Sequence, residues 1–314
     1  MTPWLLSGLG LLILLLAGDS LVKGAVNLSL RLGVPALIVS LTIVAFGTSA
    51  PELLISIQAI LDNAPGLALG NVVGSNTANI LLVLGIPALL ATMHTSECET
   101  RKTYMFMIVA SVLFIALAAR GVFDWFSGFI LLGALAFVLG DAFRDAHQHR
   151  NADRDEEEDP EGADPSLPIW RIMIFLLLGL VGLPLGADLL VDNATILAQQ
   201  YGVSDTVIGL TLVAIGTSLP ELATTVMAAI RRQADVALGN VIGSNMFNLL
   251  AIIGISSFVG VIPVDPEFLQ FDLWVMLGAS VLLLPFVFLG WNITRTWGVV
   301  LAALYLLYLK VLLS

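Results

Sequence analysis

Apolar runs long enough to cross a bilayer recur from one end of this chain to the other, and nothing else constrains its fold as strongly. A spanning helix needs about 20 largely apolar residues. Ten such runs can be placed, at about 3–22, 36–61, 67–91, 103–119, 122–140, 168–191, 205–230, 236–260, 270–290 and 296–313. The 314 residues are 58% hydrophobic and only 12% charged, with mean hydropathy +0.97, whereas soluble domains carry about 25% charged residues. The reading is an all-α integral membrane protein with no room for a sizeable soluble domain. Trp4, Trp125, Trp170, Trp274, Trp291 and Trp297 fall near the proposed span ends, where amphipathic rings favour the headgroup level. No Lys or Arg precedes the first run, so a retained span is expected there, not a cleaved leader. The single Cys98 rules out an internal disulfide.

Charge predicts the orientation. With ten spans, the odd-numbered connections hold Lys23, Arg31, Arg101, Lys102, Arg144, Arg150, Arg154, Arg171, Arg231, Arg232 and Arg295, and the even side keeps Arg120 and Lys310. Basic residues favour the cytoplasmic side, so both termini are expected outside. Much of the acid behind the formal charge of −11 lies between Asp153 and Asp164, which gives no support to nucleic-acid binding. That stretch belongs to an acidic, proline-containing cytoplasmic linker, 141–167, read as disordered. It has no EF-hand spacing, and His147 and His149 are not read as a metal site.

The chain repeats itself. Gly47-Thr48-Ser49-Ala50-Pro51-Glu52 is echoed by Gly216-Thr217-Ser218-Leu219-Pro220-Glu221, and 216 minus 47 gives an offset of 169. The same offset maps Gly70-Asn71-Val72-Val73-Gly74-Ser75-Asn76-Thr77-Ala78-Asn79 onto Gly239-Asn240-Val241-Ile242-Gly243-Ser244-Asn245-Met246-Phe247-Asn248, and it holds without a gap from Asp19/Asp188 to Ile86/Ile255. Each half, 1–140 and 168–314, contains five spans. Five is odd, so the halves must have inverted topology, an arrangement that places a binding site near the midplane where they meet.

The motifs carry chemistry. A carboxylate at membrane depth costs roughly 2.5–3.5 kcal/mol on insertion scales, yet this chain places one in each half. Pro51 and Pro220 each remove a helix donor and clash with the carbonyl four residues back, that of Gly47 or Gly216. The helix is expected to open there, letting the carbonyls of Thr48 and Thr217 turn inward. Ser49 and Ser218 add hydroxyls one turn from the carboxylates. Ser75 and Asn79, four apart, share a helix face, as do Ser244 and Asn248. All are hard oxygen donors, which suit Ca²⁺ or Na⁺ better than Zn²⁺ or Cu⁺. A lone proline is commonly a kink and a lone asparagine an interhelical hydrogen bond. The duplication of the whole set at one offset is what points beyond packing. Two carboxylates place −2 at the site, matched by one Ca²⁺, by several Na⁺ or by H⁺, and a site trading these states while facing alternate sides is an antiporter. Asp19 and Asp188 also match across the repeat, near expected span ends. They are candidate entrance acids that could recruit cations, although a solvated helix end is the commoner reason for such a residue.

With these residues in view, the paired motifs resemble the alpha repeats of the cation/Ca²⁺ antiporter family, especially the prokaryotic sodium/calcium exchangers. The resemblance covers nearly the whole chain. It implies ten transmembrane helices in two inverted-topology five-helix repeats, in a multi-pass inner-membrane protein. It implies Ca²⁺ coordination by Glu52, Glu221 and the carbonyls of Thr48 and Thr217. It implies Na⁺ sites that also use Ser49, Ser75, Ser218, Ser244, Asn79 and Asn248, and first and sixth helices that slide as a gate. The partners implied are lipid and inorganic cations, with no cofactor, no nucleic acid and no protein partner. Two departures stand out: Ala50 sits where Leu is usual, and Asn248 where some relatives carry Asp. The latter speaks against K⁺ dependence, and the glutamate-histidine signature of the proton-coupled branch is absent. Exchange of protons for Ca²⁺ through the same glutamates is the runner-up. A passive channel would need an open pore. Gly140-Asp141 lacks the partner aspartate of an intramembrane protease, and no P-loop supports an ATP-driven pump.

Overall fold

The computed structural model describes residues 2–151, 164, 166–202 and 214–312. These residues form α1 (Thr2–Leu32), α2 (Ala36–Thr48), α3 (Ala50–Leu61), α4 (Pro65–Leu90), α5 (Arg101–Ala118), α6 (Trp125–Asn151), α7 (Ile169–Gln200), α8 (Leu219–Ile230), α9 (Ala234–Val259), α10 (Pro266–Phe288) and α11 (Arg295–Leu312). Eight described helices are long and apolar enough to span a membrane, or nine if the bent pair α2 and α3 counts as one. The expected seventh span, 205–230, is represented by α8 and the short turn Ala214–Gly216, and residues 203–213 lie outside the described residues.

Core and periphery divide by composition. The spanning stretch of α9 is buried throughout and that of α4 to 78%, against 17% for α11. Both inner helices carry glycines that let backbones close in: a Cβ on Gly243 would stand 2.5 Å from the Leu41 carbonyl oxygen, and one on Gly239 2.9 Å from that of Leu37. Such small-residue contacts hold membrane helices together where lipid removes the hydrophobic drive.

Outside this core, α1 and α7 pack along each other, again through glycine. Positions for a Cβ on Gly10, Gly24, Gly179 and Gly186 all meet the opposite helix within 3 Å, near Leu190, Leu176, Leu21 and Leu14. The residue numbers descend on one helix as they rise on the other, so α1 and α7 run antiparallel. They hold corresponding places in the two sequence repeats, as inverted halves require. Both are longer than expected, ending at Leu32 and Gln200. Asp19 and Asp188 therefore lie within helices and not at helix ends.

The connections pair by end. At one end β1 (Val122–Phe123) pairs antiparallel with β2 (Ile262–Pro263). At the other, Met93 pairs with Ile293, and Thr95 donates to the Trp291 carbonyl at 2.8 Å. The second end gathers the segments rich in Lys and Arg, and is called the basic end below. Helix α6 runs to Asn151, past the expected linker boundary, with Lys102 bridging Asp141 at 2.6 Å and Asp145 at 2.8 Å. Most of the acidic linker, 152–163, and the side chain of His149 lie outside the described residues; His147 is exposed.

Candidate functional site

The two Pro-Glu motifs adopt one backbone solution. Ser49 (φ −85°, ψ 2°) and Ser218 (φ −88°, ψ 3°) interrupt their helices, which restart at Ala50 and Leu219. Pro51 and Pro220 thereby fall in the first turn of α3 and α8, where a missing N–H costs nothing. The break bends α2 against α3 by 40°. The helix thus opens two residues later than the carbonyl clash alone suggests: Gly47 and Gly216 remain helical and Ser49 and Ser218 carry the turn. The Ser49 and Ser218 carbonyls then accept from Leu53 N–H at 3.3 Å and Leu222 N–H at 2.9 Å.

Restarting the helix at this depth explains how buried acids are tolerated. Glu52 and Glu221, 1% and 0% exposed, occupy the first turns of α3 and α8, where free N–H groups and the helix dipole favour negative charge. Across the repeats, the Ser49 hydroxyl donates to Glu221 Oε1 at 3.2 Å. Thr48 Oγ1 reaches Asn240 Oδ1 at 3.3 Å and Ser244 Oγ at 3.4 Å. The first motif therefore packs directly on the residues of the second half. Thr217 sits half-buried at the second turn, beside a pocket.

Ser75, Asn79, Ser244 and Asn248 are buried on α4 and α9. Asn79 and Asn248 each lie in a π-helical turn, Asn79–Val83 and Phe247–Ile252, an irregularity common at functional sites. Several buried oxygens of the repeated motifs have no hydrogen-bond partner: Oε2 of Glu52 and of Glu221, Oγ of Ser218, and Oδ1 of Asn76, of Asn79 and of Asn248. Buried polar atoms are rarely left unpaired, since each costs roughly 1–3 kcal/mol. Six of the nine unpaired buried oxygens among the described residues come from the two repeated motifs, against Ser7, Thr100 and Ser256 elsewhere, and the six form a donor set suited to a hard cation.

Asparagines of the repeated motifs, to which the sequence alone assigns no role, support the glutamates from beneath. Asn71 Nδ2 donates to the Glu52 carbonyl and to Ser56 Oγ, both at 3.3 Å, and Asn240 Nδ2 to the Glu221 carbonyl at 3.4 Å and Thr225 Oγ1 at 3.2 Å. Asn76 and Asn245 exchange side-chain donors with each other's carbonyls at 3.1 and 3.3 Å, and Asn79 Nδ2 donates to Asn245 Oδ1 at 3.0 Å. These asparagines fix the backbone beneath the glutamates and tie α4 to α9. Their repetition at the same offset was the available signal.

The entrance acids part company. Asp188 is exposed and lines a pocket of about 130 Å³ with Pro51, Asp192, Gly216, Thr217 and Pro220, so this opening reaches both motifs. Asp19 is instead held by Arg231 at 2.5 Å and Lys23 at 3.0 Å. Among the described residues no cluster of three or more His, Cys, Asp or Glu marks a separate metal site.

A polytopic helical protein whose long α1 and α7 pack antiparallel, with buried, unpaired oxygens from both of its halves, belongs among membrane transporters for inorganic cations. The match is more particular than that. The family model described as "Sodium/calcium exchanger protein" matches residues 2–140 and 171–313, and the chain belongs to that family. It is 35% identical to the sodium/calcium exchanger MaX1 of Methanosarcina acetivorans, over 97% of this chain and 96% of that one. It is 33% identical to the inner membrane protein YrbG of Escherichia coli, over 96% and 94%. A solved structure of the sodium-calcium exchanger NCX_Mj, soaked with 2.5 mM Na⁺ and 0.1 mM Ca²⁺, superposes with TM-score 0.82 at 30% identity, covering 99% of this chain and 98% of that one. The protein is thus a multi-pass transporter of an antiport family handling sodium and calcium, not an enzyme.

Proposed function

We propose that the protein exchanges Na⁺ for Ca²⁺ by alternating access at a midplane site built on Glu52 and Glu221. Ca²⁺ is held by these carboxylates with the carbonyls of Thr48 and Thr217. Na⁺ ions use the same groups together with Ser49, Ser218, Ser75, Ser244, Asn79 and Asn248. The observation that carries this reading is the set of six unpaired buried oxygens contributed by the motifs of both repeats. Two carboxylates balance one Ca²⁺, and exchange for three Na⁺ moves one net charge, worth roughly 2.3 kcal/mol per 100 mV. The chain crosses the membrane ten times, α2 with α3 and the segment ending in α8 each counting once. The basic end, with the acidic linker, is cytoplasmic and both termini are outside, following the distribution of Lys and Arg. A monomer suffices for this cycle, because the site is assembled within one chain.

The test is ⁴⁵Ca²⁺ uptake into proteoliposomes loaded with Na⁺ or with acid. Uptake driven by outward Na⁺ and abolished in Glu52→Gln and in Glu221→Gln is expected. Uptake driven by the proton gradient alone would shift the reading to H⁺/Ca²⁺ exchange through the same glutamates, and uptake indifferent to both substitutions would overturn the site.

A further inference from the structure

The two repeats place the same seam at opposite ends of the molecule, and the seams differ. At the basic end α1 lies against α8: a Cβ on Gly18 would stand 2.9 Å from the Ala223 carbonyl oxygen and 3.3 Å from Met227 Cγ. Subtracting or adding the offset of 169 gives the mirror seam, where Ala187 of α7 would face Leu54 and Gln58 of α3. That seam is open: Leu54 is 68% exposed while its counterpart Ala223 is 6% exposed, and Ala187 lines the pocket.

Charge follows the same division. Arg231 Nε and Nη2 both reach Asp19 Oδ1 at 2.5 Å, and Lys23 Nζ reaches Oδ2 at 3.0 Å, with Asp19 and Arg231 only 22% and 23% exposed. The bridge joins a gate helix to the core helix bearing Glu221. At the mirror seam Asp188 replaces Asp19, Asp192 replaces Lys23 and Asp62 replaces Arg231. Closing α7 on α3 as α1 closes on α8 would gather three carboxylates, of which Asp62 is now occupied by Gln58 Nε2 at 3.0 Å. Like charges brought together oppose closure.

We propose that Arg231 latches Asp19 across the basic-end seam, with Lys23 steadying the carboxylate from its own helix, and that the three-aspartate mirror seam has no such latch among the described residues. The cation-free carrier therefore rests with its pocket open at the end opposite the basic one. The latch makes the two facing states unequal in population although the backbone halves are alike. The proposal rests on the alternating-access reading above, but its test needs no transport, so a failure of ion exchange and a failure of the latch are separable.

The measurement is maleimide labelling of the purified protein in detergent, without Na⁺ or Ca²⁺, in a Cys98→Ser background. Val191→Cys reports the open pocket and Val22→Cys, its mirror position, reports the latched seam. Arg231→Gln is expected to raise labelling of Val22→Cys and to lower that of Val191→Cys, each about 3-fold. Asp62→Arg, which supplies Asp188 with the partner it lacks, is expected to lower labelling of Val191→Cys about 3-fold. It changes an exposed residue at a helix end, so it tests the idea even if Arg231→Gln fails to fold. Unchanged rates in Arg231→Gln, or a rate in Asp62→Arg that stays level or rises, would overturn the latch.

Discussion

Gly243→Ala is the sharpest probe of how the core holds the site. A Cβ there would lie 2.5 Å from the Leu41 carbonyl oxygen, 2.6 Å from Ala45 Cβ and 3.0 Å from Leu41 Cα. Ordinary contact begins at 3.4 Å, so α2 must retreat by 3.4 − 2.5 = 0.9 Å. The obstruction is largely backbone, which no rotamer change relieves. Leu41 lies in the π-helical turn Ser40–Val44, and the same helix ends at Thr48, whose hydroxyl reaches Asn240 at 3.3 Å and Ser244 at 3.4 Å. Those contacts have no slack, so a shift of this size breaks them and displaces the Ser49 hydroxyl from Glu221. Overpacking of this kind costs typically about 1–3 kcal/mol, and misplacing a binding group by about 1 Å can cost on the order of 100-fold in rate. The expected result is a lower melting temperature in detergent and Na⁺-driven ⁴⁵Ca²⁺ uptake reduced at least 10-fold, an order-of-magnitude figure from the same scale. Gly133→Ala, at an exposed helical position with open space around it, is the control and should melt no lower than the parent. A Gly243→Ala protein that melts with the parent and transports within about twofold of it would refute the reasoning from close approach.

Two further outcomes follow from other contacts. Asn240→Ala leaves the buried Glu221 carbonyl and Thr225 hydroxyl without their donor, a loss of roughly 1–3 kcal/mol; Ca²⁺ affinity, read by competition against Na⁺, should fall, and an unchanged affinity would show that Asn240 does not position the carboxylate. Asp124, ahead of α6, accepts from the Ser127 N–H at 3.1 Å and pairs with Arg120 at 3.2 Å, and these hold its carboxyl down at about 2. A depressed folded-state value means the contribution is present above the ordinary carboxylate range and is lost as pH falls from about 4 toward 2. Asp124→Asn should therefore flatten that part of the melting profile, and identical acid profiles would remove Asp124 from the account.

How much of this was legible in the sequence depended on what each feature needed in order to show. Hydropathy located the spans because lipid demands unbroken apolar length, and it placed α4 within two residues of its expected start. Their ends were harder: α1 continues to Leu32 through Asp19, Lys23 and Asn27, because Arg231, the Lys23 carbonyl and neighbouring helices satisfy these polar groups inside the protein. No one-dimensional pattern displays a partner 212 residues away. Periodicity likewise missed the π-helical turns at Asn79 and Phe247, which add a residue to a turn without changing composition.

The repeat offset proved the more informative signal, because it can be read for differences as well as for likeness. Where it preserves chemistry, as at Glu52/Glu221 and Asn71/Asn240, the structure builds matching geometry on both sides: the same broken helix at Ser49 and Ser218, and the same amide under each glutamate carbonyl. Where it alters chemistry, as at Lys23/Asp192 and Arg231/Asp62, the two seams differ in what they touch. An inverted repeat with identical halves would populate its two facing states equally, since each is the other turned over. Any standing preference must come from positions where the halves disagree, and charged disagreements of this kind lie at the α1–α8 seam and its mirror. The ligand oxygens can then stay common to both states while the surrounding charges set which state the carrier occupies between ions.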